Sequence, residues 1–446
     1  MNTDSRRRRL KHFIIGLSAL DSTRLLNASL RIVPMLAKLL LTFYAGRYLP
    51  LEELGTYGLV FAAVMILSSL LGQSFTYVIV REIVDVTPSE ALVKMRDQLA
   101  LYCLNYAALA AIVLLFSAMG FEPLRPSVLW LAVLLTAVEG IGSAVWNNMN
   151  ALRQQVWSNV IFCVRSSVWI PPVIILGLYE PSFRNASVLL WGWACAGLTS
   201  FALVCYLWRQ MPWNELIFSS VDWGWIVSGV RRSFPVWIGA VGLAAGIYFD
   251  RFIVERFLNL AEVGVITFYG TFTNALLALL QAGVLSFALP GLIGRYRGEE
   301  YQAFVSEAGQ TIVQAAIVAA GAAFCFAALV PVLGLLTQRS AFTDYLGVFW
   351  VMLIGVWLRV AAEAFQTVLF SSHQDKPIWL GNLLFLVPAI GGNAILVPVL
   401  GLMGVGISSI LSGAFLLCWR GVYVHSLVNR LSASQQNGRQ PLSSTS

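Results

Sequence analysis

Charge is what this chain has least of. Only 11% of its residues are Asp, Glu, Lys or Arg, against 58% that are hydrophobic. A soluble domain carries about 25% charged residues, so a water-facing surface for a 446-residue globule is excluded. Lysine is nearly absent: Arg outnumbers Lys 25 to 4. The net charge of +7 sits in short segments between apolar runs, which argues against nucleic acid as a partner and for topology signals. Histidine is limited to His12, His373 and His425, all near helix ends. The six cysteines lie inside apolar runs with no CxxC or Cys/His spacing, so a metal centre and a disulfide framework are both disfavoured. They read as small core-filling residues. No GxxxxGK[ST] phosphate loop and no GxSxG elbow occurs, which removes the usual signatures of nucleotide hydrolysis and of serine hydrolases. No organic cofactor is implied.

What the sequence has in abundance is long apolar runs. About 20 apolar residues span a bilayer as a helix. Runs of that length fall near 24–46, 55–80, 98–119, 127–149, 156–178, 187–208, 234–256, 264–290, 311–336, 345–370, 377–398 and 402–425. The expected fold class is an all-α integral membrane protein with about twelve transmembrane helices. Prolines at 34, 171–172, 235, 290, 331, 388 and 398 fall in or at the ends of spans, where neighbouring helices satisfy the freed backbone groups.

A nine-residue repeat divides the chain. Arg47-Tyr-Leu-Pro-Leu-Glu-Glu-Leu-Gly55 returns as Arg256-Phe-Leu-Asn-Leu-Ala-Glu-Val-Gly264, with Arg47/Arg256, Glu53/Glu262 and Gly55/Gly264 among five identities. The offset of 209 residues is close to half the chain. With six spans, an even number, in each half, both halves share one orientation. They form parallel six-helix lobes about a pseudo-two-fold axis along the membrane normal. The organisation expected is a basic cytoplasmic arm (1–23), an N-terminal lobe (24–208), an interfacial linker carrying Trp213, Trp223 and Trp225 (209–233), a C-terminal lobe (234–428) and a disordered tail (429–446). With the N-terminus inside, 19 of the 29 Lys and Arg residues, Arg81 and Arg420 among them, fall on the inner side and 5 on the outer side. The positive-inside rule then places both termini in the cytoplasm.

Charges inside the spans mark function, because a central Arg or Lys costs about 2.5–3.5 kcal/mol in the bilayer. Arg24, Arg31 and Lys38 are spaced by seven and share one face of the first helix, with Asn27 near the same stripe. A ladder of this kind is expected to face a hydrated cavity between the lobes and attract an anion; the alternatives are a snorkelling end residue for Arg24 and a structural ion pair with a carboxylate on another helix for Arg31 and Lys38. Arg165 either extends that surface or pairs with Glu139. Arg359 and Glu363, one helical turn apart, are expected to neutralise each other. Asp250 and Arg251 are adjacent, about 100° apart on a helix, so both cannot face one cavity squarely. Glu139, Asp250 and Glu363 are the carboxylates for Na⁺ or H⁺ coupling, and the sequence does not choose among them. Asn147, Asn148, Asn150, Asn159, Asn274, Gln281, Gln366, Asn382 and Asn393 accompany them, as interhelical hydrogen-bonding groups or, for a subset, sugar-hydroxyl partners.

On the segment Gly46-Arg-Tyr-Leu-Pro-Leu-Glu-Glu-Leu-Gly-Thr-Tyr57, on Asp250-Arg251 and on Leu258-Asn-Leu-Ala-Glu-Val-Gly264, the chain resembles the polysaccharide-transporter branch of the multidrug/oligosaccharidyl-lipid/polysaccharide exporter superfamily. Ile266 stands where that family usually has Tyr. The resemblance implies a flippase in the bacterial cytoplasmic membrane that carries a polyprenyl-diphosphate-linked oligosaccharide outward for surface polysaccharides such as O-antigen. It implies alternating access, a cationic cavity that takes the diphosphate (Arg31 and Lys38, with Arg165, Arg24 and Asn27), and polysaccharide polymerase machinery as a partner. Arg47, Glu53, Gly55, Arg256, Glu262 and Gly264 are then structural residues of the repeat turns. The competing readings are an ion-coupled drug or small-solute antiporter of the same superfamily, and a membrane enzyme acting on lipid-linked glycans. The enzyme reading lacks a large outer loop. A channel lacks a repeated filter.

Overall fold

The computed structural model describes residues 22–84, 86–120, 125–209, 211, 213 and 220–436, leaving aside the side chains of 22–28, 31, 73, 282 and 434–436. The basic arm and the end of the tail lie outside those residues. Every regular element described is helical. The twelve long helices are α1 (Ser22–Tyr48), α2 (Leu51–Leu71), α3 (Pro88–Ala118), α4 (Pro126–Ala151), α5 (Gln155–Tyr179), α6 (Ala186–Leu207), α7 (Trp223–Phe257), α8 (Leu260–Arg297), α9 (Tyr301–Leu336), α10 (Leu346–Ser371), α11 (Asp375–Leu400) and α12 (Leu402–Gln436). Eleven of these, α2 to α12, are long and apolar enough to cross a membrane. The chain is a multi-pass membrane protein of two six-helix lobes, α1–α6 and α7–α12.

Local sequence explains the ends. Pro88 and Pro126 open α3 and α4 at positions where the missing N–H costs nothing. Thr87 and Glu90 form a capping box on α3, and Asn185, Asp222 and Asn259 cap α6, α7 and α8 through their side chains. A 3₁₀ turn (Gln73–Phe75) extends α2 into a short helix, Thr76–Glu82.

Three helices contain a π turn: Val164–Val168 in α5, Gln281–Leu285 in α8 and Val387–Gly391 in α11. Pro171-Pro172 follow the first and Pro388 lies within the third, removing amide donors that an unbroken α-helical ladder needs. Each π turn contributes residues to one of two polar cavities, the usual place for such a bulge.

The repeat segments meet each other. Gly55 and Gly264 lie inside α2 and α8 at their crossing. A Cβ on Gly55 would stand 2.0 Å from the Leu260 carbonyl oxygen, and one on Gly264 2.3 Å from that of Leu51. Since Leu51 and Leu260 are themselves repeat equivalents, the contact is reciprocal, as a two-fold interface requires. These glycines therefore permit close helix approach between the lobes; they are not turn glycines. Glu53 accepts from the Ala186 amide at 2.8 Å and so caps α6. Glu262 accepts from Tyr345 at 3.2 Å. Arg47 donates to the Leu336 carbonyl at 2.8 Å, tying α1 to α9 across the lobes, while Arg256 is exposed.

Three expectations change here. α7 begins at Trp223, inside the segment read as an interfacial linker, because Asp222 supplies a cap and Trp225 packs edge-on against Phe75 at 5.2 Å. α12 continues to Gln436, past the expected start of the tail, because Leu427 and Leu431 remain on a buried face with Phe304 and Leu369. Five of the six cysteines are exposed. They fill no core; an apolar side chain on the outward face of a membrane helix meets lipid, so hydrophobicity alone does not assign the inside.

Candidate functional site

A cavity of about 1010 Å³ separates the lobes on the side away from the repeat turns. The extension of α2 contributes Tyr77 and Arg81; α4 gives Glu139, Trp146 and Asn147; α5 gives Asn159 and Arg165. From the other lobe, α8 contributes Gln281 and Ser286, and α10 contributes Glu363, Gln366 and Thr367.

Arg165 sits within the π turn of α5 and is 3% exposed. It reaches α4 because residue 142 has no side chain: a Cβ on Gly142 would be 2.0 Å from Arg165 Nη1. There it donates to the Glu139 carbonyl at 3.2 Å and pairs with the Glu139 carboxylate at 3.3 Å. The two roles weighed for Arg165 thus combine. It lines the cavity and neutralises Glu139.

The opposite carboxylate is neutralised by a residue the sequence reading assigned elsewhere. Glu363 pairs with Arg420 of α12 at 2.9 Å, not with Arg359. Arg420, counted as an inner-side topology charge, is fully buried, and it also donates to Gln366 and to Asn382 Oδ1 (2.8 Å). The cause is the close approach of α10 and α12. A Cβ on Gly355 would lie 2.4 Å from the Ser409 backbone, and one on Gly413 2.3 Å from the Gly355 carbonyl oxygen. Arg359, one turn before Glu363, instead donates to Asn274 at 3.3 Å inside the C-terminal lobe. The Gly355/Gly413 pair was the available signal.

The ladder on α1 is partly visible. The side chains of Arg24, Asn27 and Arg31 lie outside those described. Lys38 is exposed and lies near the Glu139–Arg165 pair. Leu36 and Leu40 on the same helix are also exposed. Two residues correspond to about 200° of helix rotation, so Lys38 points away from the Leu36/Leu40 stripe and this half of α1 is open on two faces. α1 meets α8 nearer the repeat turns, where Gly46 abuts the Phe268 ring.

Arg81, also counted as a topology charge, lies in the cavity wall with its guanidinium 4.0 Å above the Tyr77 ring. The Tyr77 hydroxyl donates to Asp375 of the other lobe at 3.3 Å. Beside it, Glu82 joins the seam between α2, α3 and α7: it pairs with Lys94 at 3.0 Å and Arg232 at 3.1 Å and accepts from Trp225 at 2.7 Å. Burial alone would raise the Glu82 pKa; the hydrogen bonds from Lys94, Trp225 and Arg232 outweigh it and hold the carboxyl below its ordinary range.

Asp250 and Arg251 pair with each other at 2.9 Å and line a second, smaller cavity inside the C-terminal lobe, not the space between the lobes. Although adjacent on the helix, both side chains line the same pocket. Among the remaining amides, Asn148 donates to Gln98 at 2.8 Å within the N-terminal lobe. Among the described residues no cluster of His, Cys, Asp and Glu is arranged to hold a metal ion.

No family model matches the sequence, and no curated protein does. Solved structures match along nearly the whole chain. An inward-facing multidrug resistance MATE family transporter of the MOP superfamily aligns with a TM-score of 0.68 at 15% identity, covering 91% of this chain and 99% of that one. Lipid II flippase MurJ in an inward closed conformation aligns at 0.65 and 10% identity, covering 92% and 90%. A MOP superfamily transporter from Pyrococcus furiosus, described as having a binding pocket of reverse polarity, aligns at 0.56 and 13% identity, covering 92% and 96%. The fold is the one these transporters share.

Proposed function

We propose that this protein is a flippase for a polyprenyl-diphosphate-linked oligosaccharide. The observation that carries the reading is the charge state of the interlobe cavity. Both of its carboxylates are already matched by arginines, Glu139 by Arg165 and Glu363 by Arg420. Arg81 in the cavity wall is then in excess, with Lys38 of α1 near the Glu139–Arg165 pair. Such a cavity favours a dense anion over an organic cation, because fixed cations replace the hydration a diphosphate loses on leaving water. The amides of Asn147, Gln281 and Gln366 line the cavity with groups suited to sugar hydroxyls. The two-sided exposure of α1 leaves a route by which a prenyl tail stays in lipid while its head group enters the cavity. Arg31 meets the diphosphate first, with Lys38 deeper in the same ladder and Arg165 behind it.

The competing drug-antiporter reading needs an unpaired carboxylate to exchange a cation or proton. MATE transporters share the fold at similar TM-scores, so the fold alone does not choose between the two. The paired state of Glu139 and Glu363 favours the flippase.

The test is the fate of lipid-linked oligosaccharide in cells lacking this chain. Intact repeat units accumulating on the inner leaflet, with surface polymer lost, support translocation. An unchanged pool refutes it. Units that reach the outer face unpolymerised point to an enzyme.

A further inference from the structure

The pocket around Asp250 was expected to be a candidate cation-coupling site. Its composition argues for the opposite charge. The cavity measures about 50 Å³ and is walled by α7 (Asp250, Arg251), α8 (Thr273, Asn274), α10 (Arg359), α11 (Asn393) and the Ser408–Ser412 turn of α12. Two guanidinium groups and one carboxylate line it, an excess of one positive charge. The nearest charges outside it, Glu363 and Arg420, neutralise each other.

Both arginines are at least nine-tenths buried, at 4% and 9% exposure. Each keeps a donor without a partner: Arg251 Nε and Arg359 Nε are buried and make no hydrogen bond. Their other contacts are accounted for. Arg251 Nη1 donates to Asp250, its guanidinium lies 5.4 Å from the Tyr248 ring centroid, and Arg359 Nη2 donates to Asn274 Oδ1. Arg251 also lies close over α8 at Gly270, where a Cβ would be 2.9 Å from Nη2. One acceptor, Asn393 Oδ1, is likewise unpartnered, its amide nitrogen being committed to Ala389.

A buried charge left uncompensated is costly, and an orphaned charged donor adds to that cost. A pocket with net positive charge and two orphaned guanidinium N–H groups is built for an anion. A volume near 50 Å³ exceeds the ~30 Å³ share of one water and is far too small for a phosphate-linked sugar. We infer that the C-terminal lobe holds a small inorganic anion of halide size between Arg251 and Arg359. A water on Asn393 Oδ1 completes the site. This site is separate from the interlobe cavity and does not depend on what that cavity carries.

The test uses the purified full-length protein in lipid nanodiscs, with choline chloride, bromide or gluconate at constant ionic strength. Chloride and bromide should raise Tm saturably relative to gluconate, by about 1–2 °C at ten times the half-saturating concentration. Asn274→Asp places a second carboxylate beside Arg359 and makes the pocket neutral. That variant should fold and lose the halide response, and Arg359→Met should lose it too. In a bromide-soaked crystal the anomalous peak should fall between Arg251 and Arg359. A halide response undiminished in Asn274→Asp, no response in the wild type, or a bromide-free pocket holding only water would each overturn the inference. If the halide response is present while lipid-linked substrate is not moved, the proposed transport reading fails and this site stands.

Discussion

Replacing Gly55 with alanine puts a methyl group where the closed ends of the two lobes touch. The new carbon would lie 2.0 Å from the Leu260 carbonyl oxygen, about 1.4 Å short of the 3.4 Å at which ordinary contact begins. The obstruction is helix backbone, so no side-chain rotation relieves it. α2 and α8 must part. Gly264→Ala drives the same separation from the other repeat, where the gap is 2.3 Å to Leu51. Overpacking of this kind costs about 1–3 kcal/mol. That is about a fivefold to 150-fold loss in the population of the state with these ends closed. Spin labels at Glu52→Cys and Glu255→Cys, both exposed positions at these ends, read the separation by pulsed electron resonance once the six native cysteines are replaced. Each alanine variant should shift the distribution to longer distances by several ångströms. Gly321→Ala, whose Cβ meets nothing within 4 Å, should leave it unchanged. Unaltered distributions in both repeat-glycine variants would refute the idea that these glycines set the closure of the lobes.

Further outcomes follow from the buried pairs. Arg420→Met strands Glu363, Gln366 and Asn382 together and should cost about 3–5 kcal/mol, seen as a large fall in Tm, whereas Glu363→Gln/Arg420→Met should recover much of it. Glu53→Gln weakens the cap on Ala186 and should lower stability by about 0.5–2 kcal/mol, read as a smaller Tm change. Glu82 has a lowered pKa in the folded state, so its contribution is present above its unfolded value near 4.5 and is lost as pH falls through the folded value. Glu82→Gln should therefore flatten the acid limb of a Tm-against-pH profile and leave the slope at neutral pH unchanged.

Helix number and the two-lobe plan were legible because a bilayer imposes length and apolarity on every span, and the Arg47–Gly55 repeat announces the duplication. The pairing of charges was less legible. A one-turn spacing made Arg359 and Glu363 natural partners on an isolated helix, but the Gly355/Gly413 contact brings Arg420 nearer. Long-range packing of this sort leaves only small residues as its trace in sequence. Arg81 and Arg420 were read as topology charges because position near a span end says nothing of which way a side chain turns. The π turns that aim Arg165 and Gln281 into the cavity carry no pattern beyond nearby prolines in α5.

The central claim is that the interlobe cavity passes the head group of a lipid-linked anion while its tail remains in the bilayer. It is tested most directly in proteoliposomes containing the purified chain and a labelled polyprenyl-diphosphate oligosaccharide, by following how much label becomes accessible on the opposite leaflet. The account predicts protein-dependent transfer that falls at least about tenfold in Lys38→Glu, the size of a lost charge-assisted contact of about 1.5–3 kcal/mol. Transfer absent in the wild type, with proton-driven movement of an organic cation in its place, would contradict it.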